Sequence, residues 1–400
     1  MIIVSNSDTS AFSSTSRIKI LTYNILCDYY ATEKQFGYTP SAALSWDYRR
    51  ETIWEEIETS GADILCLQEI DTESFEDFFC VKAAHLGLKG VFFPKGRAQR
   101  LPVEAARTVD GCAIFYNKNK YILLDKQLVE FSNLAINRGD VKDSPDFFNR
   151  VGSNDHIAMI CFFENRSDDS RFVVANAHTI ASPEYIDVKT VQTVVFMDKL
   201  EKEATRYARW PATTLKDKRT FNLSSDTPIS TPGTTPGTDA VDDPLGYDHA
   251  SSQTYASNTA LPLFVVGDFN SPPGSAVHTL LSTGSVTGNH RDFGDYSYGN
   301  LTKLGIQHPF QLKSAYEILD GTENELPWTN YTPGFTGILD YIWYSSNTVE
   351  VEAVLGPIDK EYLTKVPGFP HWHFPSDHIA LVAEFRFKKN GSRLGGIRGR

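Results

Sequence analysis

The stretch LPLFVVGDFN, Leu261 to Asn270, ends an apolar run with two side chains able to hold a cation or take a proton. Leu261 to Val266 has the length and β-branched content of a strand buried on both faces, and it stops at Gly267. Asp268 and Asn270 are two apart, so on extended chain they project to one side, where a buried strand of an α/β protein meets solvent. Taken alone, Gly-Asp-x-Asn fits a strand ending in an Asx turn better than a site. The pattern recurs, however. The apolar run Ala62 to Leu67 delivers Gln68-Glu69, a β run from Ile18 to Leu26 embeds Asn24, and FVVANAH ends at His178. Asp340 sits in a strand read from Ile338 to Tyr344, and Asp377-His378 opens a last strand running to Leu381. Carboxylate and amide oxygens gathered at strand ends are the hard ligands that magnesium takes. A single His at such an end is commonly structural.

The elements that must position these groups follow from periodicity. Asp47 to Ser60 places Ile53, Trp54 and Ile57 on one helical face and stops at Gly61. A second helix runs from Phe75 to Leu86, and a third begins after Pro183-Glu184, with Val188, Val191 and Val195 on one face, and reaches about Trp210. A short helix carrying Ala276, Val277, Leu280 and Leu281 closes at Gly284. Further strands are read at Val91–Phe93, Asp110–Tyr116, Tyr121–Phe131, Ile157–Phe163 and Phe172–His178. Lys95, Arg97, Arg100 and Arg107 read as a solvated basic loop. Strands and helices alternate without a regular βαβ rhythm, so a sandwich of two mixed sheets with helices outside fits better than a doubly wound parallel sheet.

Composition bounds the rest. A chain of 400 residues with 41% hydrophobic content buries a substantial core. Its net charge of −12 argues against gripping long nucleic acid through bulk positive charge, though not against a metal-assisted site for a strand end. Five scattered cysteines without a C-x-x-C pair read as reduced thiols of an intracellular protein. No stretch approaches a membrane span, and the start is too short for a signal peptide. Residues 1–17 are expected to be a disordered lead and 388–400 a basic tail. Residues 211–260, with TPGTTPGT at their centre, are expected to be a disordered insertion in one domain spanning 18–387.

The ordered set Asn24, Glu69, His178, Asp268 with Asn270, Asp340, and Asp377-His378 resembles the endonuclease/exonuclease/phosphatase superfamily. YNILCDYYAT, LSWDYRR, LQEID, VDGCAIFY, HIAMICFFENR, NAH with PEYIDVKTVQT, VGDFNSPPGSAV, TNYTPGF, ILDYIWYSSN and HFPSDHIALVAEF narrow it further. They resemble the deadenylases of the carbon catabolite repressor four type, the poly(A) exonuclease subunit of the Ccr–Not complex. The resemblance implies an α/β, four-layer αββα sandwich of two mixed sheets, DNase I-like. It implies a magnesium-dependent 3′→5′ exoribonuclease, with one or two ions and manganese as the alternative, that removes poly(A) tails and releases 5′-AMP in cytoplasm and nucleus. The implied partners are the 3′ end of single-stranded poly(A) RNA and Ccr–Not subunits.

By the same resemblance the metal set is Glu69, Asn24, Asp268, Asn270 and His378, and Asp268, His378, Asn270, His178, Asp340 and Asp377 are catalytic. His178, Pro183, Asn330 and Phe335 hold the terminal adenosine, with Pro183 and Phe335 on the two faces of the base. Adjacent residues on a strand diverge, so Asp340 is an alternative to Asp377 as the partner of His378. Two features depart from the family. Between His178 and Pro183, where the family shows a further His, Trp and Asp, stand Thr179, Ile180, Ala181 and Ser182. The leucine-rich repeats that dock the family to its partner deadenylase are not seen ahead of Arg17. Another phosphoesterase of the same fold, acting on nucleotides, 2′-5′ bonds or DNA, and an inactive interaction module are the competing readings.

Overall fold

The computed structural model describes residues 1–3, 16–139, 144, 146–213 and 252–388. Two sheets carry the fold. The first has seven strands in the order Ile2–Ile3, Val349–Val354, Leu381–Phe387, Arg17–Asn24, Ile64–Asp71, Asp110–Asn117, Leu88–Pro94. The second has six, ordered Leu312–Ser314, Asp340–Ser345, Leu263–Asp268, Arg171–His178, Ile157–Asn165, Tyr121–Glu130. Neighbours run antiparallel except for one pair in each sheet, Arg17–Asn24 beside Ile64–Asp71 and Arg171–His178 beside Leu263–Asp268. Parallel neighbours need a crossover. The helices Trp46–Ser60 and Ile186–Ala208 lie in those two crossovers.

Alternation along the strands builds the layers. Phe264 and Val266 join Ile18, Ile20, Ile64 and Cys66 in the core between the sheets. Val265 turns the other way, onto Val188, Val191 and Leu280 of the helices Ile186–Ala208 and Ala276–Thr283. On the far side Leu21, Tyr23, Leu65 and Leu67 pack on Ile53, Trp54 and Ile57. Helix, sheet, sheet, helix is the four-layer α/β sandwich expected, and Gly61 and Gly284 end their helices in left-handed conformations as the sequence required.

Several boundaries move. Ile2 and Ile3 pair with Val354 and Ala353, so the lead expected to be disordered carries an edge strand at its start; residues 4–15 lie outside the described residues. The core of the expected insertion, 214–251, lies outside them too, as does the tail from 389. Its flanks belong to the fold. Arg171, buried, pairs with Glu164 at 2.9 Å and donates to the carbonyls of Trp210 and Pro211 and to Thr213 Oγ1. Thr213 and Ser252 donate their hydroxyls to Glu164, and the buried Tyr255 donates to the Arg171 carbonyl. A buried ion pair needs its remaining donors and acceptors satisfied, and the ends of the insertion supply the partners of the Arg171 guanidinium and of Glu164 Oε2. The last strand begins at Leu381 rather than Asp377, because Asn330 and Thr329 engage His378 and Ile379 first.

Candidate active site

Both parallel pairs point their C-terminal ends to one rim. Asn24 ends one strand and donates its amide to Glu69 Oε1 at 3.2 Å and, across the sandwich, to Asp268 Oδ2 at 2.9 Å. Glu69 does not end its strand. The strand continues to Asp71, and the register against Asp110–Asn117 shifts between Gln68 and Ile70, so Glu69 is extruded in a bulge at φ 57°. Asn270 sits at φ 48°. Side chains adopt that region at a cost, and it is held here by tertiary bonds. The Cys27 amide donates to Glu69 Oε2 at 3.1 Å, and the Asn270 amide to Asp268 Oδ1 at 2.8 Å. His178 Nε2 lies 3.7 Å from Asp268 Oδ2 and 3.9 Å from Glu69 Oε1.

Asp340, at the start of the strand antiparallel to Leu263–Asp268, accepts from His378 Nδ1 at 2.7 Å and from Thr329 Oγ1 at 2.6 Å. Thr329 in turn accepts the amides of Leu339 and Asp340. The free edge of the imidazole faces Asp268, with Nε2 3.8 Å from Oδ2. Burial alone would lower the His378 pKa, but the charges of Asp340, Asp268 and Asp377 raise it well above the ordinary imidazole range, which favours the protonated ring. Asp377 instead accepts from Asn330 Nδ2 at 3.2 Å. Of the two carboxylates considered as the partner of His378, Asp340 makes the bond.

The loop read as solvated carries a buried charge. Lys95 is 3% exposed and pairs with Asp110 at 2.7 Å, while Arg97 bridges Asp110 and Asp155 at 2.6 and 3.0 Å. Tyr30 donates its hydroxyl to Asp110. The acid fifteen residues along the chain draws the lysine inward, a pairing that local spacing does not reveal. Burial, with the charges of Asp110 and Asp377, pushes Glu69 up to about 7. Burial and the ammonium of Lys95 hold His178 down at about 4, so it is neutral, and neither ring nitrogen has a hydrogen-bond partner among the described residues.

Thr179 to Ser182 are held mostly through their backbone, with the Thr179 hydroxyl donating to the Phe269 carbonyl at 2.5 Å. The Thr179 amide donates to the Asp268 carbonyl, Asn270 Nδ2 donates to the Thr179 carbonyl, and the Ile180 amide donates to Gln192 Oε1. Thr179 and Ile180 are buried, so their side chains turn inward. Lys189, pushed down to about 8 by burial, donates to the carbonyls of Ala181 and Asn270. Pro183 opens the exposed turn Pro183–Tyr185. Phe335, 43% exposed, lies in the hairpin of Asn330–Tyr331 with Thr336–Gly337, its ring so close over Gly337 that a Cβ there would meet it at 2.8 Å. Beneath the rim Asn176 donates across the sandwich to the carbonyls of Leu67 and Ala113 and accepts from Gln68 Nε2. The sequence reading places Lys95 in a solvated loop and does not single out Asn176, Lys189, Gln192 or Thr329. The available signal was a polar residue inside an otherwise apolar stretch, most plainly Asn176 in FVVANAH.

These residues fit a divalent cation. Asp268, Asp340 and His378 each bring a ligand atom within 4.8 Å of the others, and Asp340 Oδ1 is buried without a hydrogen-bond partner among the described residues. His378 Nδ1 and Asp340 Oδ2 are already bonded to each other, which leaves Glu69 and Asp268, joined by one amide, as the paired oxygens a hard ion prefers. Asn24 presents its nitrogen to them, and Asn270 spends its amide nitrogen on Thr179. Among the described residues no helix is long and apolar enough to cross a membrane.

The chain is 48% identical over 387 residues to the CCR4-Not complex 3′-5′-exoribonuclease subunit Ccr4 of Neurospora crassa, covering 96% of itself and 48% of that protein. It is 48% identical to the Aspergillus oryzae protein of that name over 95% of itself and 49% of that protein. The chain therefore spans about half the length of these curated relatives. Among solved structures, ANGEL2, a 2′,3′-cyclic phosphatase, superposes with a TM-score of 0.66 at 20% identity over 93% of this chain and 96% of that one. The human Nocturnin catalytic domain does so with a TM-score of 0.56 at 21% identity over 93% and 95%. Likeness at that identity speaks for the fold, which is shared along nearly the whole of each chain. The family model described as Endonuclease/Exonuclease/phosphatase matches residues 21–378, from the strand that carries Asn24 to His378 itself, and on that match this chain belongs to the endonuclease/exonuclease/phosphatase family.

Proposed function

We propose that this chain is the nuclease domain of a magnesium-dependent 3′→5′ exoribonuclease that shortens poly(A) tails and releases 5′-AMP. The observation that carries the reading is the meeting of Glu69, Asp268 and the Asp340–His378 pair at one rim, in a chain nearly half identical to proteins named as Ccr4 exoribonucleases. Held by Glu69 and Asp268, magnesium would supply Lewis-acid charge at the phosphate. Asp268 would take the proton of the attacking water. The new bond joins water oxygen to phosphorus, the bond from phosphorus to the 3′ oxygen of the preceding nucleotide breaks, and that oxygen takes a proton from solvent and leaves as a hydroxyl, while Asp268 returns its proton to solvent. His378, kept cationic by Asp340, donates Nε2–H to a phosphate oxygen whose charge grows during attack. Neutral His178 borders the same carboxylates and would face the terminal ribose or its phosphate.

Pro183 and Phe335 would take the two faces of the terminal base, and Asn330 one of its edges. Because Thr179 and Ile180 turn inward, the loop between His178 and Pro183 offers little to read adenine, so preference would rest on Asn330 and be modest. Assembly with Ccr–Not subunits in cytoplasm and nucleus, and a single nuclease domain over 18–387, belong to the same reading. The test is 5′-labelled RNA ending in adenosines, with magnesium and with EDTA, for the parent and for Asp268→Ala. A ladder shortening from the 3′ end with 5′-AMP, absent in EDTA and in the variant, is expected. Internal cleavage of a circular RNA, or full activity in EDTA, overturns it.

A further inference from the structure

Lys189 stands in the first turn of the helix Ile186–Ala208, 5% exposed. A helix N-terminus is the unfavourable end for a cation, and burial adds to the cost, so local preference does not explain a lysine here. What it gains is two carbonyls. Nζ donates to Asn270 O at 2.8 Å and to Ala181 O at 3.2 Å. These belong to the loops that follow the parallel strands Leu263–Asp268 and Arg171–His178, and so to the segments carrying Asp268 and His178. One turn on, Gln192 Oε1 takes the Ile180 amide at 3.0 Å, fastening the second loop again.

Asn270 links the two loops to the Asp268 carboxylate. At φ 48° it is in a conformation that needs outside support, and its amide donates to Asp268 Oδ1 at 2.8 Å. Its side chain is tied to Thr179 O and its carbonyl to Lys189. We propose that Lys189 is a positioning residue of the phosphodiesterase site: by clamping the Ala181 and Asn270 carbonyls it locks the two strand-end loops together and, through the Asn270 amide, sets the direction of the Asp268 carboxylate. This rests on the exonuclease reading above and adds to it a residue that touches no substrate. It also bears on why the loop between His178 and Pro183 can carry Ile180, Ala181 and Ser182, since apart from the Thr179 hydroxyl on the Phe269 carbonyl its grip on the site runs through backbone groups.

The test compares parent, Lys189→Met, Lys189→Gln and Lys189→Arg. On A-tailed RNA with saturating magnesium, Lys189→Met lowers kcat about 10- to 100-fold, the rate equivalent of losing charge-assisted hydrogen bonds, while KM for RNA stays within about threefold. Lys189→Arg restores most of the loss, and Lys189→Gln, a donor without charge, restores part. Amide hydrogen exchange is the readout that needs no turnover. In Lys189→Met, exchange at 179–182 and 269–270 rises at least tenfold while the strand Ile157–Asn165 is unchanged; Lys189→Gln stands in if the methionine variant does not fold. Unchanged exchange in those loops, or kcat within twofold of the parent, overturns the proposal. A parent inactive on RNA overturns the exonuclease reading instead, and the exchange comparison still decides the role of Lys189.

Discussion

Replacing Asp340 by Asn separates two uses of one carboxylate. Asp340 Oδ2 accepts from both His378 Nδ1 and Thr329 Oγ1, and Oδ1 has no partner. An asparagine with its oxygen at the Oδ2 position keeps both bonds and its NH2 meets no donor, so the shape survives while the charge is lost and a buried donor is left without an acceptor among the described residues. A hydrogen bond to a charged group is worth about 1.5–3 kcal/mol, against about 1 for a neutral one. Each 1.4 kcal/mol is a factor of ten in rate. If Asp340 works by holding His378 as a cation, that difference of about 0.5–2 kcal/mol lowers kcat at saturating magnesium roughly 2- to 30-fold, and the alkaline limb of the rate profile moves to lower pH as the imidazole loses its anion. The melting temperature stays within about 3 °C. Initial rates on A-tailed RNA, titrated with magnesium at several pH values, read all of this. Should the magnesium needed for half-activity rise tenfold while saturated kcat stays at the parent level, Asp340 is a metal ligand and the histidine argument is wrong.

Three further expectations follow from particular contacts. Arg171→Met leaves Glu164 charged and buried, and costs about 3–5 kcal/mol in urea unfolding, most of it recovered when Glu164→Met is added; a loss below about 1 kcal/mol would mean that the pair does not fasten the insertion's flanks. His308, buried, accepts the Phe310 amide at Nδ1 and gives Nε2–H to Leu280 O, which uses up the neutral ring; burial holds its pKa at about 4. Its folded value lies below the unfolded one, so its stability contribution is complete above about pH 6.5 and is lost as pH falls toward 4, by roughly 1–1.5 kcal/mol at pH 5.5. A His308→Asn variant whose unfolding has the same pH slope as the parent rules this out. Phe335→Ala raises KM about 5- to 50-fold on tails of A, C and U alike, as stacking is indifferent to the base; a loss confined to A tails would make Phe335 a reader of adenine.

How far the sequence shows this molecule depends on the range of each interaction. The strand Leu263–Asp268 and the helix Trp46–Ser60 are legible because alternation, apolar spacing and a terminal glycine are local. Glu69 was visible as an acid after an apolar run, but not as a bulge, since the bulge exists only against Asp110–Asn117 forty residues away. Lys95 looked like one of four loop cations because its acid, Asp110, is a neighbour only in the folded chain. The Asp340–His378 bond could be weighed against Asp377 from strand geometry alone, which says that adjacent side chains diverge. Lys189 was hidden in a helix whose valines explained its burial without it.

The amide of Asn176 reaches from one sheet into the backbone of the other, directly under groups that come from both. The reactive rim is therefore a seam between two plates, and the relevant mechanical coordinate is their sliding past each other. A shift of half an ångström along that coordinate would stretch the Asn24–Asp268 bond without breaking any strand. Stiffness against shear thus becomes a property on which catalysis depends, supplied by packing such as Phe264 on Phe385 and by the polar rivet at Asn176. Changes deep in that layer would be felt at the phosphate while the two plates themselves stayed intact.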